Sequence, residues 1–176
     1  LLAEDNAVNS RLVLAVLTKH GHSVEAVVNS KEALDAVNRE VFDAVLMDVQ
    51  MPEMDGLEPT RAIRHAEQGT GRHLHIIALT AHAMKGDREI CLEAGMDAYL
   101  PKPVHVSELL SLLARVDSGG TKAQPALSAA PPASGASFDL NDVLARVEGD
   151  RSLLAELIQI FRSESPRMLA EIKRCA

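Results

Sequence analysis

The first 117 residues predict a doubly wound parallel α/β sheet of five strands and five helices. Three observations carry that expectation. Short apolar runs alternate with amphipathic stretches, polar residues close the apolar runs, and glycines such as Gly21 and Gly95 fall where helices should stop.

In order, Leu1-Leu2-Ala3 reads as the end of a first strand. A helix follows through Leu12, Val13, Val16 and Leu17 to Gly21, then a strand over Ser23 to Val28. Ser30 is placed to cap a second helix with apolar Ala33, Leu34 and Val37. Ala44-Val45-Leu46-Met47 is a buried strand that runs into Asp48. After Gly56 comes a helix interrupted by Pro59, whose missing N–H costs little if it falls in the first turn. His75 to Leu79 and Ala98 to Leu100 are the last two strands, and Val106 to Val116 the last helix. Ligands of such sheets bind beyond the carboxyl ends of the strands, where the strand order reverses.

Residues 118 to 137 break the pattern with Gly119-Gly120, Pro125, Pro131-Pro132 and a single charge, Lys122, and read as a flexible linker. From Phe138 a helical pattern returns with Leu140, Val143, Leu144 and Val147 before Gly149. A longer helix carries Leu154, Leu157, Ile158, Phe161, Met168, Leu169 and Ile172, and Pro166 is expected to kink or break it. Residues 138 to 176 thus look like the start of a helical bundle rather than the whole of one.

Composition narrows the function. Apolar residues are 47% and charged residues 24%, as in a soluble globular protein, with no Trp, one Tyr and three Phe, so the core must be aliphatic. Cys91 and Cys175 lack metal-ligand spacing and read as thiols of a reducing compartment. No apolar run suits a membrane span, so the fragment is expected in the cytoplasm without membrane contact, an anchor elsewhere in a longer parent being left open. The whole net charge of −7 falls on residues 1 to 117, which disfavours nucleic-acid binding.

The polar residues at the strand ends carry the chemistry. Glu4 and Asp5 close the first strand, Asp48 the third and Thr80 the fourth, while Lys102 lies just past the fifth. Any one of them alone reads as a turn, a cap or a solvated side chain. Together, on the rim where parallel strands converge, they make a pocket of three carboxylates, a hydroxyl and an ammonium. Mutual repulsion of the acids invites a hard divalent cation, and Mg2+ beside a phosphate is the usual arrangement. Asp48 as nucleophile would give an acyl phosphate, with Lys102 and Thr80 holding phosphoryl oxygens.

Leu2-Ala3-Glu4-Asp5-Asn6, Met47 to Gly56, Ala78-Leu79-Thr80-Ala81 and Leu100-Pro101-Lys102-Pro103 resemble the motifs of the response-regulator receiver family. The resemblance spans nearly all of residues 1 to 117 and implies a flavodoxin-like sheet of order 2-1-3-4-5. It implies that Asp48 is phosphorylated from a phosphohistidine. Mg2+ would be held by Asp5, Asp48 and the Gln50 carbonyl, with Glu4 assisting through water. It further implies that Thr80 and Lys102 contact the phosphoryl group, that Thr80 and Tyr99 act as a switch, and that Gln50 and His82 tune hydrolysis. The Lys102-Pro103 bond is commonly cis in the family.

Thr80 to Asp87 and Glu93 to Leu100 resemble receivers fused to hybrid sensor histidine kinases, and Phe138-Asp139-Leu140, Gly149-Asp150 and the following helix resemble the opening of a histidine phosphotransfer domain. That domain's phosphorylatable His lies on a later helix, and no His follows His105. The implied partners are a histidine kinase domain of the same parent and a phosphotransfer domain, with the chain monomeric. The receiver is an acceptor that assists its own phosphorylation and dephosphorylation, its parent a kinase. A phosphorylation-controlled interaction module without onward relay is the competing reading. A small-molecule phosphatase is disfavoured by Gln50, which stands where a second acid would be needed.

Overall fold

The computed structural model describes residues 1–51, 56–81, 85–117, 144, 147 and 149–175. The elements are β1 (Leu2–Ala3), α1 (Ala7–Lys19), β2 (Ala26–Val27), α2 (Ser30–Arg39), β3 (Ala44–Asp48), α3 (Leu57–Glu67), β4 (His75–Thr80), α4 (Lys85–Ala94), β5 (Ala98–Pro101), α5 (Val106–Asp117) and α6 (Arg151–Cys175). All five strands are parallel, in the order β2-β1-β3-β4-β5.

The two-residue period of a strand divides the core into two layers. Ala3, Val45, Met47, Ile76 and Ala78 face one way and pack against Ala33 and Ala36 of α2, Ile63 of α3 and Cys91 of α4. Their neighbours Leu2, Leu46, Ile77 and Leu79 face the other way, against Val13 and Leu17 of α1 and Leu109 and Leu112 of α5. Burying one such side chain contributes about 1.5–3 kcal/mol, so these interleaved aliphatic residues fix the register without aromatic help.

Four expectations about individual elements are refined by the structure. The second strand is only Ala26–Val27, not Ser23 to Val28. It is an edge strand whose one neighbour, β1, offers just two residues to pair, and Val28 lies 59% exposed beyond the ladder. The cap of α2 is Asn29, whose side chain accepts the Glu32 N–H, while Ser30 is the first helical residue. Pro59 does fall in the first turn of α3. Pro166 does not break α6, which runs through it. Pro166 and Arg162 are exposed, so the carbonyl that lacks an N–H partner there can turn to water.

Glycine is required where chain segments close up. Gly95 ends α4 with φ +103°, and a Cβ there would come within 2.7 Å of the Arg64 side chain. Arg64 uses that space to donate from Nε to the Gly95 carbonyl at 2.7 Å and from a terminal nitrogen to Asp97 Oδ2 at 2.7 Å. The linker expected over residues 118 to 137 lies outside the described residues.

Candidate functional site

The carboxyl ends of β1, β3, β4 and β5 bring the expected residues to one rim. Glu4 and Asp5 follow β1 directly, and the side chain of Asn6 then accepts the N–H groups of Val8 and Asn9 to start α1. Asn9, one turn into α1, donates its side-chain N–H to Glu4 Oε1 at 3.0 Å. Asp48 is the last residue of β3 and is 2% exposed. Its Oδ1 accepts the Gln50 backbone N–H at 2.9 Å, which sets the carboxylate toward the rim.

Behind Asp48 the backbone closes tightly. Gly56 returns to donate its N–H to the Val49 carbonyl, and a Cβ on it would meet the Asp48 carbonyl oxygen at 2.5 Å. No other residue fits that approach without a shift of backbone.

Carboxylate oxygens of Glu4, Asp5 and Asp48 lie within 4.8 Å of one another, with Glu4 and Asp48 buried and Asp5 exposed. The Lys102 ammonium reaches between two of them. It donates to Asp48 Oδ2 at 2.6 Å and stands 2.7 Å from Glu4 Oε2. The second contact is a close ion pair, and Glu4 Oε2 makes no well-aligned hydrogen bond among the described residues. Burial pushes the Glu4 carboxyl above its ordinary pKa, against the pull of Lys102 and Asn9, and the neighbouring Asp48 adds to the push. Burial by itself would lower the Lys102 pKa, but the Asp48 hydrogen bond and the contacts with Glu4 raise it above the ordinary lysine value.

One ammonium against three carboxylates leaves an excess of negative charge. A hard divalent cation with oxygen ligands fits that deficit.

Thr80 ends β4, is 4% exposed, and its carbonyl accepts the Lys102 backbone N–H at 2.7 Å, which ties the lysine's loop to the rim. The peptide bond Lys102-Pro103 is cis, as the resemblance implies. Tyr99 pairs with Ala78, two residues before Thr80, so Tyr99 and Thr80 belong to the same sheet face. Tyr99 is half-buried, and the Arg88 guanidinium of α4 sits 5.5 Å over its ring. His82 lies outside the described residues. Two contributors escaped the sequence reading: Asn9, legible only as a polar residue one turn from a cap, and Arg88, which carries no local signal.

Fold and site together define a class: a doubly wound α/β protein with an acidic, lysine-bridged pocket at the carboxyl rim of its sheet. Residues 1–114 match the Response regulator receiver domain, and the chain belongs to that family. It is 45% identical over 118 residues to hybrid signal transduction histidine kinase I of Dictyostelium discoideum, a match covering 64% of this chain and 7% of that protein. Among solved structures it resembles the receiver domain of the sensor histidine kinase PA1611 of Pseudomonas aeruginosa PAO1, which has a magnesium ion coordinated in its active site cleft. That match is 44% identical with a TM-score of 0.60, covering 66% of this chain and 94% of that one. It also resembles the receiver domain of the response regulator Ssk1 of Saccharomyces cerevisiae, solved with the histidine phosphotransfer protein Ypd1. There the identity is 30% and the TM-score 0.61, covering 65% and 84% of the two chains.

Proposed function

We propose that this chain is the receiver of a hybrid histidine kinase in a phosphorelay, that Asp48 accepts a phosphoryl group from a phosphohistidine, and that the group then passes to a phosphotransfer His. The observation that carries this reading is the placement of Asp48. Its carboxylate ends a buried strand, is hydrogen-bonded to the only ammonium described at the site, and lies beside two further acids.

In the reaction, a carboxylate oxygen of Asp48 forms a bond to phosphorus as the P–N bond to the donor imidazole breaks, and that bond's electron pair leaves with the imidazole. Asp5, Asp48 and the Gln50 carbonyl would hold Mg2+, with Glu4 assisting through water. When bound, the ion offsets the charge that develops on the phosphoryl oxygens. Lys102, already 2.6 Å from Asp48, exchanges that partner for a phosphoryl oxygen of the product. Thr80 contacts another, and its movement frees space on the face it shares with Tyr99, the switch residue. Gln50 and His82 set how long the acyl phosphate lasts.

The partners in this reading are a kinase domain in the same parent chain and a phosphotransfer domain whose opening is residues 138 to 176, joined by a linker over 118 to 137. The fragment acts as a cytoplasmic monomer and binds no nucleic acid. No described helix is long and apolar enough to cross a membrane.

Phosphoramidate, a small donor with a P–N bond, tests the acceptor step. Labelling of the chain in Mg2+ and its loss on adding a chelator support the reading. Labelling indifferent to the chelator, or none, contradicts it.

A further inference from the structure

Helix α1 has two working faces. Val13 and Leu17 are buried against the sheet. A second stripe, Val8, Leu12 and Ala15, points away from it and packs with Val147, Leu153 and Leu157, assisted by Leu144 and Leu154. The stripe's spacing of four and three residues is that of one helix face, so α6 lies along α1 as a partner helix would.

Polar contacts fix the direction of that packing. Arg11 makes a two-pronged bond to Glu156, Nε to Oε1 at 2.6 Å and a terminal nitrogen to Oε2 at 2.9 Å. Asp150 caps α6 by accepting the N–H groups of Ser152 at 2.9 Å and Leu153 at 3.0 Å, and it feels the charge of Lys19 at the far end of α1. Position 150 is thus near 19 and position 156 is on 11, so α6 runs antiparallel to α1, toward the end that carries Asn6. The helix continues through Cys175, well over a dozen residues beyond Glu156. At about 1.5 Å per residue, that leaves a rod of roughly 20 Å leading past the end of α1. The end it passes is the one where Asp5 stands exposed beside Glu4 and Asp48.

We infer that the outer face of α1 is a helix-docking surface occupied in cis by α6, and that this occupancy restricts protein phosphodonors from Asp48 while small donors enter freely. The inference rests on the acceptor role given to Asp48 above. The chemistry of the occupant is on the page. A leucine stripe covers Val8, Leu12 and Ala15, and a carboxylate is held in the fork of Arg11. A helical phosphodonor domain approaching along α1 must displace α6 first. A donor of a few atoms need not.

The test uses the full chain and two donors: phosphoramidate, and phosphorylated Ypd1, a histidine phosphotransfer protein that forms a complex with a similar receiver. Leu157→Asp places a charge in the apolar seam and should accelerate transfer from Ypd1 by about tenfold, leaving the phosphoramidate rate unchanged. Arg11→Glu or Glu156→Arg alone should give about two- to fourfold, because an ion pair this exposed is worth less, and the double reversal should return to the wild-type rate. Phosphoramidate labelling of Asp48 in every variant keeps the acceptor reading intact. Its absence would bring down that reading and this one together. Labelling by phosphoramidate with equal or slower Ypd1 transfer in Leu157→Asp, or a double reversal that fails to restore the wild-type rate, overturns the docking inference alone.

Discussion

The Lys102 ammonium donates to Asp48 Oδ2 at 2.6 Å while standing 2.7 Å from Glu4 Oε2, so one cation bridges two buried carboxylates that would otherwise repel. The bridge is held at both ends of the lysine. Its ammonium meets the acids, and its backbone N–H is donated to the Thr80 carbonyl at 2.7 Å. The site is therefore assembled before any donor arrives.

Removing that ammonium should expose the repulsion. Lys102→Met is expected to destabilise the metal-free protein by about 2–4 kcal/mol, since a buried charge loses its partner. Added Mg2+ should restore more stability to this variant than to wild type, because the ion then neutralises three uncompensated acids. Phosphorylation should nevertheless slow by about a hundredfold, as a cation aimed at the transferring group is lost. Thermal melts with and without Mg2+, beside labelling rates, check both halves.

The raised pKa of Glu4 predicts a pH dependence with a definite sign. A carboxyl whose folded pKa lies above the unfolded value weakens folding when ionised, and the penalty is relieved as pH falls through the raised range. Glu4→Gln should therefore melt higher than wild type at neutral pH in chelator. The gain should shrink on acidification and vanish near the ordinary value of 4.5. The same variant should bind Mg2+ about tenfold more weakly, since an outer ligand is lost.

Much of this architecture is legible in the residues. Aliphatic runs ending on Glu4, Asp5, Asp48 and Thr80 announce both the sheet and its rim, because strand alternation and strand-end polarity are local signals. Contacts set by tertiary packing are not legible. Nothing near Arg64 says that it will bind the Gly95 carbonyl and Asp97, and nothing near Arg88 says that it will cover Tyr99. The short β2 escapes for the same reason: the length of an edge strand depends on what its one neighbour offers. Asn29 does not stand out in the sequence as the cap of α2, because Ser30, beside it, is an equally good capping residue.

Gly56 is a packing requirement of the acceptor. Because a Cβ would meet the Asp48 carbonyl at 2.5 Å, Gly56→Ala should cost about 1–3 kcal/mol in a denaturant melt. It should also slow phosphorylation by displacing Asp48, whereas Gly21→Ala, with open space at its Cβ, should cost stability without touching the rate.

Tyr99 is the only Tyr in a chain without Trp, so tyrosine fluorescence reports on that ring alone. With the Arg88 guanidinium 5.5 Å over it, Arg88→Ala removes a contact worth about 0.5–1 kcal/mol. If Tyr99 is the switch, the variant should change its fluorescence response to beryllofluoride with Mg2+ and shift the apparent affinity by about two- to fivefold. Those shifts should vanish in a Tyr99→Ala background, followed there by Mg2+-dependent beryllofluoride binding in calorimetry.

The central claim is that Asp48 itself carries the phosphoryl group, and intact-mass spectrometry after acetyl phosphate and Mg2+ tests it most directly. Wild type should gain the mass of one phosphoryl group, mapped to the peptide holding Asp48 and removed by hydroxylamine, while Asp48→Asn gains none. A modified Asp48→Asn protein, or a label on any other residue of the wild type, would contradict the account.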